Sequence, residues 1–438
     1  MAHFIRFKRR WTHDVAFSLQ VITLLLMLVS LSGGRHIPLQ AHADDKHHAD
    51  DKHHGDDKHH GDDMHHGNGT HQAEVGSSET GVSDARFARL AKGVNLSYWL
   101  WLSPTGDFDP NAITERDMQL LQAAGMTHIR LPFEPEKLME DLDNPSQMKQ
   151  TYLDEMDRAV TMALKYNLAV ILDPHPLDGL RYNMATDDAY VERMAVLWQS
   201  FAAYFSRYDP EMVFLETINE PAFVQYLERE AAFDRWQQVQ NLLVAALRAG
   251  APNHTIIVKG DEWENIESLT QIEIYEDRNV VYNIHFYEPY IFTHQGADWS
   301  DDYLIGMENV PYPSSLQAIA PLLDIYSGTQ REVIYQYGSE DWDAVKVSEA
   351  IRVAADWAQE HGVRLTANEF GVYKPTTHPT ERYALLHDMR TAFEQYGIGW
   401  TMWDYQGGFD LVEGEGSGRF IAPEMIDALG LNRVLAAR

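Results

Sequence analysis

Short apolar runs alternate with longer segments of helical periodicity along the chain from about residue 85. The short runs are rich in aliphatic and β-branched residues, which is typical of parallel strands buried on both faces. We predict strands at Ala91–Leu96, Thr127–Leu131, Leu168–Asp173, Met212–Ile218, Thr255–Lys259, Val280–His285, Leu365–Glu369 and Gly399–Trp403.

Between these runs, apolar residues recur every three or four positions, as they do on one face of an amphipathic helix. Met156, Val160, Ala163 and Leu164 show this spacing clearly. Helices are therefore predicted near residues 113–125, 151–166, 188–207, 230–249, 347–361 and 379–396, with a closing helix at Ile421–Leu429.

Eight strands that alternate with helices predict an α/β protein, a single (β/α)8 TIM barrel spanning residues 85–438. The segment 291–345 is long for one connection between a strand and the next helix. It carries Trp299, Tyr303, Tyr312 and Trp342, so we expect an elaborated loop over the active face.

Polar and aromatic residues stand at the ends of six of the predicted strands, and a barrel enzyme keeps its chemistry at that end of its strands. Taken singly, each has an ordinary structural explanation, such as a core ion pair for an arginine or a buried, hydrogen-bonded ring for a histidine. Together they predict one functional face. They are Arg130, His175, Asn219, Glu220, His285, Tyr287, Glu369 and Trp403.

Two of these residues are glutamates at the ends of apolar runs. Glu220 lies in Asn219-Glu220-Pro221, where the proline cannot donate to a sheet ladder and should end the strand. Glu369 ends the predicted seventh strand. Glycoside hydrolysis needs a pair of carboxyl groups, and these two are the candidates. The tripeptide alone fits a solvated strand end or a helix cap equally well.

The first 43 residues have the pattern of an export signal. A basic start at residues 6–10 precedes the mostly apolar Val15–Leu31, and small residues allow cleavage near Ala43. We expect residues 1–43 to be removed and the protein to be secreted or periplasmic, without stable membrane association. An uncleaved anchor is the alternative, although the apolar run is short for a full span.

Residues 44–67 repeat a hexapeptide with two acids and two histidines, and a linker rich in Gly, Ser and Thr follows. Because residues 44–84 have little apolar surface to bury, we expect them to be disordered. The paired histidines are compatible with weak binding of a divalent transition metal and with a passive, pH-sensitive linker. The candidate ligands are His47, His48, His53, His54, His59, His60, His65 and His66.

Composition excludes several classes of function. The formal net charge of −31 argues against nucleic-acid binding, which requires a basic face. The absence of cysteine excludes disulfides, thiolate catalysis and zinc held by cysteine. We expect a monomer with no cofactor.

Six motifs in order resemble the retaining glycoside hydrolases of family five, the cellulase family, over roughly residues 88–432. They are Gly93–Asn95, His128–Pro132, Asn219–Pro221, His285–Tyr287, Asn368–Gly371 and Trp400–Gly408. The resemblance implies a TIM barrel in which Glu220 is the general acid/base and Glu369 the nucleophile. It also implies that the other six strand-end residues bind substrate or orient the carboxyl groups. Arg130 is expected to keep Glu369 ionised, and that charge to raise the pKa of Glu220.

The leading expectation is an exported endo-β-1,4-glucanase. Other substrates stay open, including β-mannan, mixed-linkage glucan, xylan-type backbones and an exopolysaccharide of the producing cell, because loops set the subsites. A polysaccharide-binding barrel without activity and a metal-handling protein are alternatives of other classes. Candidates for neighbouring sugar subsites, each of which would also suit the core, are Trp99, Trp101, Trp263 and Trp299.

Overall fold

The computed structural model describes residues 81–101, 109, 111–142 and 144–433. The predicted export signal and the histidine-rich repeat lie outside the described residues and stay predictions. None of the helices within these ranges combines the length and the apolar character needed to cross a membrane.

Eight parallel strands close into a barrel in the order of the sequence, and the last strand pairs with the first. This arrangement confirms the predicted (β/α)8 barrel. The strands are β1 (Lys92–Asn95), β2 (His128–Phe133), β3 (Ala169–Pro174), β4 (Val213–Glu216), β5 (Ile256–Lys259), β6 (Val280–His285), β7 (Arg364–Phe370) and β8 (Gly399–Met402).

The longer helices, apart from Gly328–Ser339 in the segment 291–345, cover the outside of the barrel, and they include all those predicted, with bounds shifted by a few residues. They are α1 (Glu115–Ala123), α2 (Gln150–Lys165), α3 (Asp178–Thr186), α4 (Asp188–Phe205), α5 (Arg229–Gly250), α6 (Gly328–Ser339), α7 (Ala344–His361), α8 (Pro379–Gln395) and α9 (Pro423–Leu429). The helices α3 and α6 were not predicted. Shorter α-helical turns lie at Asp84–Phe87, Ser97–Leu100, Pro135–Leu138, Ile266–Leu269, Tyr290–Thr293 and Leu316–Ile319.

The predicted end of β2 at Leu131 was wrong, because the strand continues through Pro132 to Phe133. The carbonyl of Arg130 accepts a hydrogen bond from Leu96, so Arg130 turns its peptide groups towards β1. The backbone nitrogen of Pro132, two residues later, points to the same side, towards β1. By that point β1 has ended, so the missing N–H of the proline breaks no ladder bond.

The segment 291–345 is more structured than the predicted loop, since it contains α6 and the turn at Leu316–Ile319. Tyr312 and Trp342 are buried and belong to the same hydrophobic core as the strands and helices of the barrel. Trp299, in contrast, is 55% exposed and meets Tyr373, just beyond β7, edge to face at 4.7 Å. This part of the segment therefore lies at the carboxyl-end face, as expected.

The interior of the barrel changes from apolar to charged along the strands. Ile171, Phe214, Ile257 and Val281 pack together in its lower half. Side chains two positions further along a strand point to the same face, so they form the next layer. That layer consists of Asp173, Glu216, Lys259 and Asn283, all fully buried. The apolar layer in the lower half of the barrel thus lies beneath a layer of charged and polar groups, which is directly below the carboxyl ends of the strands.

Candidate active site

Glu220 follows β4 in a tight turn, and its own φ of 39° lies in the left-handed region. Its carboxyl Oε1 lies 2.9 Å from His285 Nδ1 at the end of β6. The Glu220 side chain keeps 24% of its surface exposed, whereas that of His285 keeps 1%. His285 thus holds the carboxyl group of Glu220 from inside the barrel, and the exposed part of the side chain is accessible to a ligand.

Glu369 reaches the same place from β7. Arg130 Nη1 donates to its Oε1 at 2.7 Å, and the Tyr287 hydroxyl donates to its Oε2 at 3.0 Å. A register shift between Ile284 and His285 pairs His285 with Glu369 across β6 and β7. This irregularity places the imidazole and the two carboxyl groups side by side, with Glu369 Oε2 3.6 Å from His285 Nδ1.

One ligand atom each from Glu220, His285 and Glu369 lie within 4.8 Å of one another. Among the residues that the structure describes, these three side chains form the group of His, Asp or Glu residues that is close enough together to hold a metal ion. The same compactness allows the two carboxyl groups to act on one bond, and no cofactor is needed for that.

Burial raises the pKa of both glutamates, and the charges of neighbouring side chains also shift each pKa. For Glu369, burial and the charges of Glu220 and Asp173 outweigh Arg130, so its pKa is raised instead of held low. Burial also raises the pKa of Glu220, although Arg181 and His175 oppose the shift. The pair therefore retains a proton more readily than two isolated acids would. Because Glu369 receives the charge-assisted bond from Arg130, the proton is favoured on Glu220.

Arg130 connects the carboxyl groups to the charged layer below. It is fully buried and donates both to Asn219 Oδ1 at 2.7 Å and to Glu216 through two bonds of 3.0 Å. It also lies 3.1 Å from Asp173 Oδ2. Such a planar, bidentate pairing holds the guanidinium in one orientation. Arg130 is thereby fixed before any substrate binds.

The two histidines of the site are neutral. Burial lowers the pKa of His285 to about 3, and it lowers the pKa of His175 well below its ordinary value. His175 Nδ1 lies 3.0 Å from Asp173, and its Nε2 lies 3.1 Å from the Asn219 amide. The fold thus brings five of the predicted residues together with the two glutamates. They are Arg130, His175, Asn219, His285 and Tyr287.

Trp403 lies at the edge of this group, with its ring 5.8 Å from that of His175. Trp101 packs against His175 at 3.8 Å and against Trp403 at 5.7 Å, measured between ring centroids. Trp99, in contrast, is fully buried and belongs to the core. Trp263 and Trp299 are 46% and 55% exposed.

Several polar residues that contact the site, all but Arg181 fully buried, were not among the predicted site residues. Some of them could have been found from the sequence, because a charged residue ends an apolar strand, as Lys259 does after Ile256-Ile257-Val258. Others, such as Glu264 and Arg181, lie on connections and carry no such signal. These residues are Asn95, Asp173, Arg181, Glu216, Lys259, Glu264, Asn283 and Asn368.

A closed eight-stranded barrel with two neighbouring carboxyl groups at the carboxyl ends of its strands has the architecture of a glycosidase. The family model described as cellulase (glycosyl hydrolase family 5) matches residues 83–408. The chain belongs to this family and is an enzyme that hydrolyses O-glycosyl bonds.

Known relatives agree with this assignment. Endoglucanase 3 of Fibrobacter succinogenes is 29% identical over 341 residues, which cover 74% of this chain and 50% of that protein. The chain thus spans half of the length of that relative. Endoglucanase C of Acetivibrio thermocellus is 25% identical over 323 residues, 72% of this chain and 90% of that protein.

Solved structures show the same fold. Cel5A of Thermotoga maritima in complex with cellobiose superposes with a TM-score of 0.63 at 20% identity, over 78% of this chain and 98% of that chain.

Proposed function

We propose that the protein is an exported, retaining endo-β-1,4-glucanase with Glu220 as acid/base and Glu369 as nucleophile. The observation that carries the proposal is the pair of glutamates with carboxylate oxygens within 4.8 Å of each other. Retaining enzymes separate their carboxyl groups by about 5–5.5 Å, whereas inverting enzymes leave about 6.5–9.5 Å for a water molecule. The close approach supports the retaining mechanism.

In the first step, Glu369 attacks the anomeric carbon as a carboxylate, and Glu220 donates its proton to the departing glycosidic oxygen. Arg130 and Tyr287 hold one oxygen each of Glu369 and leave its orientation little freedom. The bond between Glu369 and the sugar is formed as the bond to the leaving oxygen breaks.

In the second step, the negative charge on Glu369 has been lost to the covalent bond. The pKa of Glu220 then falls, because loss of a neighbouring negative charge makes ionisation of a carboxyl group easier. Ionised Glu220 takes a proton from water, and the water attacks the anomeric carbon. The sugar leaves with its original anomeric configuration.

The residues around the pair suit a pyranose chain. Asn219 is held by Arg130 and His175, and it is placed to bond the sugar 2-hydroxyl in the transition state. Trp101 and Trp403 present aromatic rings beside it. Trp299 adds an exposed ring on the segment 291–345 and is a further candidate for a subsite. Both relatives are named endoglucanases, which favours a glucan over β-mannan as the substrate.

A panel of soluble polysaccharides tests this assignment. We expect new reducing ends and a rapid fall in viscosity with a β-1,4-glucan, because internal cleavage shortens the chain quickly. The chelator EDTA should leave the rate unchanged. Binding to a polysaccharide without release of reducing ends would instead identify a non-catalytic barrel, and faster hydrolysis of β-mannan would reassign the substrate.

The histidine-rich repeat is proposed to capture divalent transition metal without a part in catalysis. Deleting residues 44–72 is expected to abolish retention of Ni²⁺ or Zn²⁺ and to leave kcat and KM unchanged, because the catalytic groups all come from the barrel. The measurement compares metal content after dialysis with activity for both proteins. Loss of turnover in the deletion variant would refute the separation of roles.

A further inference from the structure

The turn after β5 has an unusual backbone. Three successive residues other than glycine, Glu262, Trp263 and Glu264, have φ values of 48°, 55° and 58°. The β-carbon of an L-residue makes this conformation unfavourable, because it comes too close to the following carbonyl oxygen. Such a turn persists only where its surroundings hold it, and strained segments of this kind concentrate at functional sites.

The turn delivers the carboxylate of Glu264 beneath the active site, where it is fully buried. Its Oε1 accepts the backbone N–H of Glu220 at 2.7 Å and lies 3.0 Å from Lys259 Nζ. Its Oε2 accepts the Asn283 amide and lies 3.3 Å from His285 Nε2. One carboxylate thus contacts both the backbone of Glu220 and the imidazole that holds the Glu220 side chain.

Arg181 on α3 holds the other side of the same residue. Its Nε donates to the backbone carbonyl of Glu220 at 2.8 Å. Glu220 itself has a left-handed backbone, so neither peptide group is fixed by regular secondary structure. The N–H and the C=O of Glu220 are instead held by two side chains from separate connections.

We propose that Glu264 and Arg181 are positioning residues for acid/base catalysis, which clamp the backbone of Glu220 so that its carboxyl group meets the leaving oxygen. Glu264 also sets the tautomer of His285. This inference rests on the proposed role of Glu220.

The tautomer follows from the charges on either side of the imidazole. Among the described residues Nε2 has no hydrogen-bond partner, but the Glu264 carboxylate lies 3.3 Å away, and its negative charge favours the ring proton on that nitrogen. Nδ1 then carries a lone pair and accepts a hydrogen bond from the O–H of protonated Glu220 across 2.9 Å. The neutral, proton-bearing form of Glu220 is stabilised as a result. The ionisable groups that face Glu220 or Glu264 are Arg130, His175, Arg181, Lys259, His285, Tyr287, Tyr290 and Glu369.

Glu264→Gln and Arg181→Gln test the clamp with two substrates that differ in their need for an acid. Suitable probes are the phenyl and the 2,4-dinitrophenyl β-glycosides of the disaccharide from the polysaccharide that the panel identifies. The phenyl leaving group needs a proton, whereas dinitrophenolate leaves without one. We expect kcat/KM for the phenyl glycoside to fall by roughly 10- to 100-fold, since small misplacement of a catalytic group has this effect. For the dinitrophenyl glycoside it should stay within about threefold.

Glu262→Gln is the matched control, because Glu262 belongs to the same left-handed turn but pairs with Arg229. It should leave the ratio of the two rate constants at the wild-type value. This ratio does not depend on the fraction of folded enzyme, so partial misfolding cannot imitate the effect. Equal losses for both substrates, or no loss in either variant, would overturn the proposal.

The pH dependence of kcat/KM gives a second readout, because the two variants should shift its basic limb in opposite directions. Glu264→Gln leaves Lys259 with less compensation and removes the preference for the Nε2 tautomer, so the pKa of Glu220 falls and the basic limb of kcat/KM moves to lower pH. Arg181→Gln removes a cation that lowers the pKa of Glu220, so the basic limb moves to higher pH. Shifts in the same direction would contradict the clamp. Full activity of a Glu220→Ala enzyme would instead refute the proposed function.

Discussion

Replacing Glu369 by alanine is expected to abolish hydrolysis, with kcat falling by roughly 10⁴-fold or more. The variant retains Arg130, Tyr287 and Glu220 but has no group at this position to bond the anomeric carbon. Initial rates on the polysaccharide from the panel measure the effect. The thermal unfolding midpoint, measured in parallel, separates lost chemistry from lost structure.

Azide should restore part of the activity of the Glu369→Ala enzyme, because the shortened side chain leaves room for a small anion on that face of the sugar. The product is then a glycosyl azide of inverted configuration, since only one displacement has occurred. Nuclear magnetic resonance of the product identifies the anomer. A retained azide, or hydrolysis near the wild-type rate, would assign the nucleophile to another residue.

Replacing Glu220 by alanine should lower kcat/KM by roughly 10²- to 10⁴-fold for substrates with poor leaving groups. Substrates with activated leaving groups should still form the glycosyl enzyme and accumulate it, because the second step also needs Glu220. The pKa of Glu220 is raised in the folded protein, mainly by burial, and the acid form is the active one. Wild-type activity therefore falls as the pH rises through this pKa, and the variant should lose that basic limb.

Azide distinguishes the two glutamates. In the Glu220→Ala enzyme it attacks the glycosyl enzyme after the first displacement, so the product has retained configuration. The two alanine variants are therefore controls for each other, with opposite anomers expected from one reagent. An unchanged basic limb in the Glu220→Ala enzyme would show that a different group supplies the proton.

The alternation of apolar and amphipathic segments was sufficient to predict the barrel, because a strand buried on both faces leaves a short apolar run. The end of β2 was missed, since whether Pro132 breaks a ladder depends on where β1 ends. The α6 helix was missed because the segment 291–345 was treated as one loop. Its buried residues Ile334 and Tyr337 join the main hydrophobic core, which a reading of the segment as a loop does not predict.

At the site, the order of the motifs predicted residues that the fold brings together, because the ends of parallel strands meet at one face. The supporting charges were harder to predict. Glu216 and Lys259 look like ordinary charged residues at strand ends, although their side chains meet at 2.6 Å inside the barrel. The role of Glu264 depends on a left-handed turn, which has no signature in residue type when no glycine marks it.

The buried charged layer connects strands across the barrel as well as neighbouring strands. Arg130 on β2 meets Glu216 on β4 and Glu369 on β7, and Lys259 on β5 meets Glu216 as well. Removing one partner of such a buried pair costs about 3–5 kcal/mol, because the remaining charge is left without compensation in the interior. A half-barrel of this chain is therefore a poor folding unit, and the enzyme is expected to lose its structure cooperatively, in a single event that takes the catalytic pair with it.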